Sequence, residues 1–409
     1  MNSKQRKVLS VLYQCRLLTV TQIHQLALYD AGNKNGGIEY CKKIVQGMVK
    51  DGYIQKIRKG YMYLYKITVK GVRILKSDLV HRIGTSEEMI EVTKTPAQIS
   101  LADKNIPHQI AQNNFVMRLT ELLNNTTLTW WYSDDAFINK EFLGIFRPDG
   151  VVCINNKYYF IEMDMGTEQT KALQSKWQGY RKLFANGYIN EKYGTVQILF
   201  LIDGVENTQK RIRLVEKTIQ EIIPDIANNQ IMDILIDTPD NLLNFMKEEI
   251  YEQILKTQFP QWKLDMVAKG YKFYNGSQIP TENAKFQTFC VQRDEQGVIV
   301  IDNNVEEYLI DDGRYHRQSV IYNTRQYRYN MMTLKASKGR EIKYVVLIEE
   351  DMYSKELMDA VWNEDGVFLT TEQRLTQNTA SKRFFKQQGK DRYIFDKGYR
   401  ILRREGDEE

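Results

Sequence analysis

The sequence is short of the residues that build covalent or metal-held scaffolds. Its 409 residues include four cysteines, four histidines and seven prolines. Cys15, Cys41, Cys153 and Cys290 show no paired spacing. A disulfide framework and a zinc site are therefore not expected, and a reducing, cytoplasmic setting is. Long hydrophobic runs are also missing. No 18-residue apolar stretch occurs, and the opening MNSKQRKVLSVLYQ has no apolar core of signal-peptide length. The expectation is a soluble intracellular protein with no membrane partner.

What is present is charge, unevenly placed. The net charge of +5 divides into +12 over residues 1–82, from 16 Lys/Arg against 4 Asp/Glu, and −7 over the rest. A basic first fifth on a mildly acidic body points to one polyanion-binding module. A chain of this length is expected to form two or three domains. The expected boundaries are a basic domain at 1–82, a connector at 83–106, an α/β domain at 107–250 and a second α/β domain with a basic, aromatic tail at 251–409.

Within the basic domain, residues 4–15 carry Val8, Leu9, Leu12 and Tyr13 at helical spacing. Thr19 or Thr21 caps a second predicted helix, and a third spans Ile38 to Lys50 with Tyr40, Ile44, Met48 and Val49 inward. Two strand-like runs, YIQKI and YMYLYKIT, follow around Arg58-Lys59-Gly60. Three helices and a hairpin in this order describe a winged helix, which sends its third helix into the major groove and its hairpin to the backbone or minor groove. The candidate DNA-binding residues are Lys34, Lys42 and Lys43 around the third helix and Lys56, Arg58 and Lys59 on the hairpin. The partner expected is double-stranded DNA. Ordinary solvated lysines are the alternative reading, and protein contact is the alternative use of the fold.

The polar stretch 77–106 reads as a connector. A helix is predicted from His108, with Ile110, Phe115, Leu119 and Leu122 apolar, followed by a strand at LTWWY, Leu128 to Tyr132. The stretch Arg147 to Phe184 is the one that looks suited to chemistry. Asp149 precedes a short apolar strand, Asn155-Asn156 offers a turn tolerant of φ > 0, and Tyr158 to Met163 forms a second strand ending near Glu162 and Asp164. Three acids brought together call for a cation, so Asp149, Glu162 and Asp164 are candidate ligands for a divalent metal, Mg²⁺ by hardness. Gly166-Thr167 is read as the cap of a helix with Leu173, Trp177, Tyr180 and Phe184 on its apolar stripe. Lys176 falls inside that stripe, with Lys171 and Lys182 opposite. VQILFLI, Val196 to Ile202, is predicted as a buried strand. A helix from Thr208 to Ile223 and a strand near Ile231 to Ile236 follow it.

This layout resembles the PD-(D/E)xK nuclease superfamily, with Pro148-Asp149 as its first motif. More narrowly, RPDG, FIEMDMGTE and a Lys-x-x-x-Tyr helix resemble the plasmid replication-relaxation family, in which a histidine is often seen at the place of His108. The resemblance implies catalytic roles for Asp149, Glu162 and Lys176, and covers roughly residues 1–240. The sequence departs from the nuclease pattern where Glu-x-Lys is wanted, since it has Glu162-Met163-Asp164, leaving only Lys176 on the helix to supply the cation.

A second feature is internal. Residues 296–331 align with 149–184 without a gap at an offset of 147, with eight identities among 36 pairs. Asp149 then meets Gln296, Glu162 meets Leu309, Lys176 meets Asn323 and Asp164 meets Asp311. A degenerate second copy of the α/β unit is expected, unable to assemble the same metal site. The tail 378–404 interleaves Arg and Lys with aromatics, a pattern that suits stacking on unpaired bases and also ordinary surface helices.

The fold class expected is mixed α/β: an N-terminal winged helix-turn-helix, a PD-(D/E)xK-like domain and a degenerate copy of it. Three functions fit. The family resemblance implies a plasmid or mobile-element protein assisting DNA replication or relaxation, with replication or relaxase proteins as partners. A metal-dependent DNA endonuclease and a transcriptional regulator are the alternatives, and homodimerisation is compatible with each.

Overall fold

The computed structural model describes the chain apart from 29–36, 77–78, 82, 84–88, 123–127, 143, 229, 252–260, 269–270, 276–286, 293–306, 339–341, 351, 378–383, 389–391, 396–397 and 403–409. It divides into two compact units, Met1–Met165 and Gly166–Glu409.

The first unit opens with helix α1 (Ser3–Cys15), strand β1 (Leu17–Leu18), helix α2 (Val20–Ile23) running into a π-turn at His24–Leu28, and helix α3 (Gly37–Lys50). Strands β2 (Ile54–Lys59) and β3 (Met62–Ile67) follow, then helix α4 (Val69–Leu75). Asn2 and Thr19 start the first two helices through reciprocal capping boxes with Gln5 and Gln22. The strands form one antiparallel sheet in the order β1-β3-β2. Arg58 and Lys59, expected in the turn, lie in β2, and the chain reverses at Gly60-Tyr61, where Gly60 takes φ +57°. On α3 the inward residues are Cys41, Val45 and Met48. Tyr40, expected inside, is 46% exposed, because the buried stripe begins one residue later than its apolar spacing suggested.

The expected connector contains structure of its own. Strands β4 (Leu79–His81) and β5 (Met89–Glu91) pair antiparallel, and a short helix α5 (Pro96–Ile99) follows. Helix α6 (Ile106–Leu122) then leads to β6 (Leu128–Tyr132), helix α7 (Ala136–Glu141), β7 (Gly150–Ile154) and β8 (Lys157–Asp164). Strands β6, β7 and β8 form successive antiparallel ladders. The β7–β8 turn is tight, with Asn155 at φ +46° and Asn156 at φ +65°. These are the two left-handed residues a two-residue hairpin requires.

Helix α6 buries amides as well as apolar groups. Asn113 donates to the carbonyls of Leu17 (2.7 Å) and Cys15 (3.3 Å), and Tyr132 Oη donates to Asn113 Oδ1 (2.7 Å). The Asn113 amide thus bridges the last residue of α1 and the first residue of β1.

The second unit holds helix α8 (Thr170–Phe184), helix α9 (Tyr188–Tyr193), β9 (Val196–Ile202), α10 (Thr208–Ile222), β10 (Met232–Asp237) and α11 (Pro239–Glu249). Helix α8 begins after Gln169, not at Gly166-Thr167, and has no side-chain cap bond. Strands β9 and β10 are parallel and wholly buried.

Beyond them come α12 (Gln261–Ala268), β11 (Tyr271–Asn275), β12 (Thr288–Gln292), β13 (Glu307–Asp312), α13 (Ser319–Lys338), β14 (Lys343–Ile348), α14 (Lys355–Asn363), β15 (Val367–Thr371) and α15 (Glu372–Gln377). Strands β16 (Phe385–Gln388), β17 (Arg392–Phe395) and β18 (Gly398–Leu402) complete an eight-stranded sheet in chain order, the tail forming an antiparallel meander. Apolar side chains alternate between two cores across this sheet. Tyr344, Val346 and Ile348 pack with α13 and α14, while Val345 and Leu347 pack with Trp262 and Met266 of α12.

The order β6, β7, β8, α8, β9, α10, β10 recurs as β11, β12, β13, α13, β14, α14, β15. The ladder senses match where both sets are observed: antiparallel for β6–β7 and β11–β12, antiparallel for β7–β8 and β12–β13, parallel for β9–β10 and β14–β15. Most of the hairpin expected over 296–310 lies outside the described residues. Strand β13, which falls within that range, has both edges occupied, by β12 and β14. The strand equivalent to β7 is therefore Thr288–Gln292, and a gapless offset does not hold there.

Gly150 is a packing requirement of the first sheet. A Cβ at this position would lie 2.9 Å from Trp130 Cζ2 and 3.1 Å from Gln112 Nε2. Gly150→Ala should therefore destabilise the protein by about 1–3 kcal/mol, as overpacking does. Urea unfolding with an unshifted midpoint would show that the β6–β7–α6 contact yields freely.

Candidate functional site

The β7–β8 ladder pairs Gly150 with Ile161, so one step further it sets Asp149 opposite Glu162. Asp149 is held from three sides. Its Oδ2 accepts from Met163 N (2.9 Å) and lies 3.1 Å from His108 Nε2 on α6. Its carbonyl accepts from Gln112 Nε2 (2.5 Å) and Ser133 N (3.1 Å). Asp149 and His108 stay partly open, with side chains 27% and 32% exposed. Glu162 and Asp164 are buried, at 1% and 0% exposure.

The structure thus brings Asp149, Glu162 and His108 to one end of the β7–β8 hairpin. The family resemblance singles out His108. Lys176 sits in the apolar stripe of α8, with its side chain 12% exposed. Its ammonium is 3.2 Å from Glu168 Oε1 and 5.4 Å from the centre of the Phe200 ring. Glu168 therefore already neutralises the one lysine available to the nuclease reading.

One oxygen of the acid pair is already committed within the protein. A hard divalent cation takes several oxygen ligands, yet one Asp149 oxygen is already used by a backbone N–H and an imidazole. Among the described residues no group of three His, Cys, Asp or Glu is arranged to hold a metal.

The corresponding place in the second segment is closed. Thr288 pairs with Ile310, which sets Gln287 opposite Asp311. Gln287 Oε1 accepts from Asp312 N (3.0 Å), as Asp149 accepts from Met163 N. By ladder position, Gln287 stands where Asp149 does and Asp311 where Glu162 does. The sequence offset had paired Asp149 with Gln296, Glu162 with Leu309 and Asp164 with Asp311, so the correspondence moves by two residues on β13. The helices keep the offset of 147, since Leu173, Trp177, Tyr180 and Phe184 match the buried Val320, Thr324, Tyr327 and Met331. Asn323, in the place of Lys176, donates to Asp311 Oδ2 (2.7 Å), and Tyr344 Oη donates to the same oxygen (2.9 Å). Gln287 N donates to Asp311 Oδ1 (2.5 Å). These groups are what the buried aspartate serves.

The basic head presents its own candidate surface. Lys43, Lys56 and Arg58 are exposed, whereas Lys42 pairs with Glu39 and Lys59 Nζ lies 3.3 Å from Asp103 Oδ2. Lys34 lies outside the described residues. The hairpin also exposes Tyr61, Met62 and Tyr63. Sequence reading passed over these, although tyrosines alternating through YMYLYK beside a turn glycine were the available signal.

Together these features define a mixed α/β protein: a helix-and-hairpin head, an antiparallel hairpin carrying paired acids, and a second segment with the same strand and helix order. Residues 9–199 match the family model described as replication-relaxation. No curated protein and no solved structure matches the chain. Among the described residues no helix is long and apolar enough to cross a membrane.

Asp311 leaves a measurable trace. Burial pushes its carboxyl up from 3.8 to about 6, against the opposing bonds from Gln287, Asn323 and Tyr344. The folded state then holds this proton more tightly than the unfolded chain. The resulting stability is fully present below about pH 4 and lost as the pH rises through about 6. The loss is on the order of 3 kcal/mol. Asp311→Asn should flatten this part of the stability-against-pH profile in thermal unfolding. A variant with the wild-type slope between these pH values would exclude Asp311 as its source.

Proposed function

We propose that this protein binds duplex DNA through a winged-helix head and assists replication or relaxation of plasmid or mobile-element DNA, with a PD-(D/E)xK-like body that is not a working nuclease. The observation that carries the reading is the head itself. Its α1–β1–α2–α3–β2–β3 order and β1-β3-β2 sheet support the winged-helix reading. Exposed Lys43 lies on the helix that enters the groove, and Lys56 and Arg58 lie on the wing. The family match over residues 9–199 supports the link to replication and relaxation.

The body is read as a duplication. Its first copy keeps Asp149 opposite Glu162; the second has lost that pair of acids and serves as scaffold or docking surface for replication or relaxase proteins. The paired acids are what favours endonuclease activity as a second reading. Against it stand the use of Asp149 Oδ2 by Met163 and His108 and the neutralisation of Lys176 by Glu168. Loss of a transition-state charge partner costs on the order of 10²–10³ in rate.

Binding to duplex DNA should weaken with salt, each neutralised phosphate contributing about −0.9 to the slope of log K against log salt. Replacing Lys43, Lys56 and Arg58 with Ala should make that slope shallower by roughly 2–3 and leave the protein folded. An unchanged slope would remove the head from the interface. A footprint over a promoter and not an origin would redirect the reading to transcriptional control.

Supercoiled DNA incubated with Mg²⁺ or Mn²⁺ should remain essentially uncut. Robust cutting that disappears in an Asp149→Ala, Glu162→Ala double variant would establish the endonuclease instead.

A further inference from the structure

The tip of the β2–β3 hairpin is not built only for phosphate. Tyr61 is fully exposed at 101%, and Met62 and Tyr63 beside it are 46% and 49% exposed. Contacts to phosphate need cations and backbone N–H groups, whereas three large apolar side chains held in water at a turn gain only from a partner that covers them. Cross-strand register places Arg58 directly opposite Tyr63, and Lys56 Nζ sits 3.6 Å from the centre of the Tyr63 ring. Tyr61, two residues before Tyr63, sits in the turn at the tip of the same hairpin. Arg58 Nε donates to Gly60 O (3.2 Å), which keeps the guanidinium beside the turn. Nothing lies within 4 Å of where a Gly60 Cβ would be, so the tip is open.

We propose that the hairpin face formed by Lys56, Arg58, Tyr61 and Tyr63 is a stacking platform for an unpaired nucleobase at a junction between duplex and single-stranded DNA. This rests on the reading of the head as a DNA-binding module and adds the form of DNA it selects. Aromatic rings stack on any base through its π face, and flanking cations hold the adjacent phosphates. In an intact duplex the same contact first requires a base step to be unstacked, at a cost of a few kcal/mol. At a junction the base is already released, so the platform favours forked over fully paired DNA. A protein acting where replication begins meets such junctions.

The test uses the full chain and two probes of one sequence, a blunt duplex and a forked duplex with 2-aminopurine at the first unpaired position, at a single salt concentration. The wild type should bind the fork at least about fivefold more tightly than the duplex, the lower end of what stacking one base contributes. The 2-aminopurine fluorescence should fall on binding. Tyr61→Ala should reduce the fork preference to within about twofold of unity, leaving thermal unfolding unchanged, while Tyr61→Phe should retain it because stacking needs the ring and not the hydroxyl. A fork preference unaltered in Tyr61→Ala, or lost equally in Tyr61→Phe, overturns the platform. Duplex binding without any fork preference also overturns it and leaves the DNA-binding reading standing. Failure to bind either probe removes both.

Discussion

The arrangement of the candidate site depends on one turn. Asn155 and Asn156 both adopt the left-handed conformation, at φ +46° and +65°, and close β7 onto β8 with only two residues between them. That geometry sets the register, and the register puts Asp149 opposite Glu162 and within reach of Met163 N. A slip of one residue would carry the acids to the other face and the apolar partners with them. Asparagine tolerates positive φ better than any other residue except glycine, so the turn is reached with little strain.

Around that hairpin the fold is held by buried polar groups as much as by apolar ones. In the first unit, Gln109, Gln112 and Asn113 face inward from α6 and bind backbone carbonyls and one another. In the second unit, Tyr315 and Gln318 form backbone bonds with Ile236 and Ile234 of β10. Arg314 in the same loop bonds Asp312, Glu248 and Glu372, and Arg317 bonds Asp233. Burial works against the charge of His316, but the carboxylates of Glu216, at 3.0 Å, Asp237 and Glu349 together outweigh it and its pKa is raised. Removing one member of such a set strands a charge away from water, so the network constrains which loop can dock there more than it adds net stability.

The two segments also show how one residue type can persist for different physical reasons. Gly166 adopts φ +73°, a conformation costly to other residues, at the end of β8. Gly313, its match by sequence offset, has no positive φ and is needed for closeness alone, since a Cβ there would meet Val346 Cγ1 at 2.5 Å and the Leu347 carbonyl at 3.2 Å, whereas Gly166 combines its φ with a 2.8 Å approach to Val205 Cγ2. Asp311 likewise keeps a carboxylate where Glu162 has one, but Asn323 and Tyr344 engage it from inside the core.

Local pattern was enough for the elements with strong periodicity. Helices α1, α3, α8 and α10, the run VQILFLI and the β7–β8 hairpin were legible because apolar spacing and turn chemistry act within a few residues. So were the basic head and the recurring second segment, which are matters of composition and order. Tertiary structure decided the rest. The polar face of α6 reads as solvent-facing until the carbonyls of Cys15 and Leu17 are known to lie against it. Strand β12 comes from Thr288–Gln292 and not from the better sequence match near Val298, because β13 has only two edges and pairing along them is long-range. Lys176 meets Glu168 and Asp149 meets His108 only once helix and strand are packed, and no spacing along the chain encodes either distance. Charge and hydrophobic period are properties of neighbours in sequence; the partners of a buried polar group are neighbours in space.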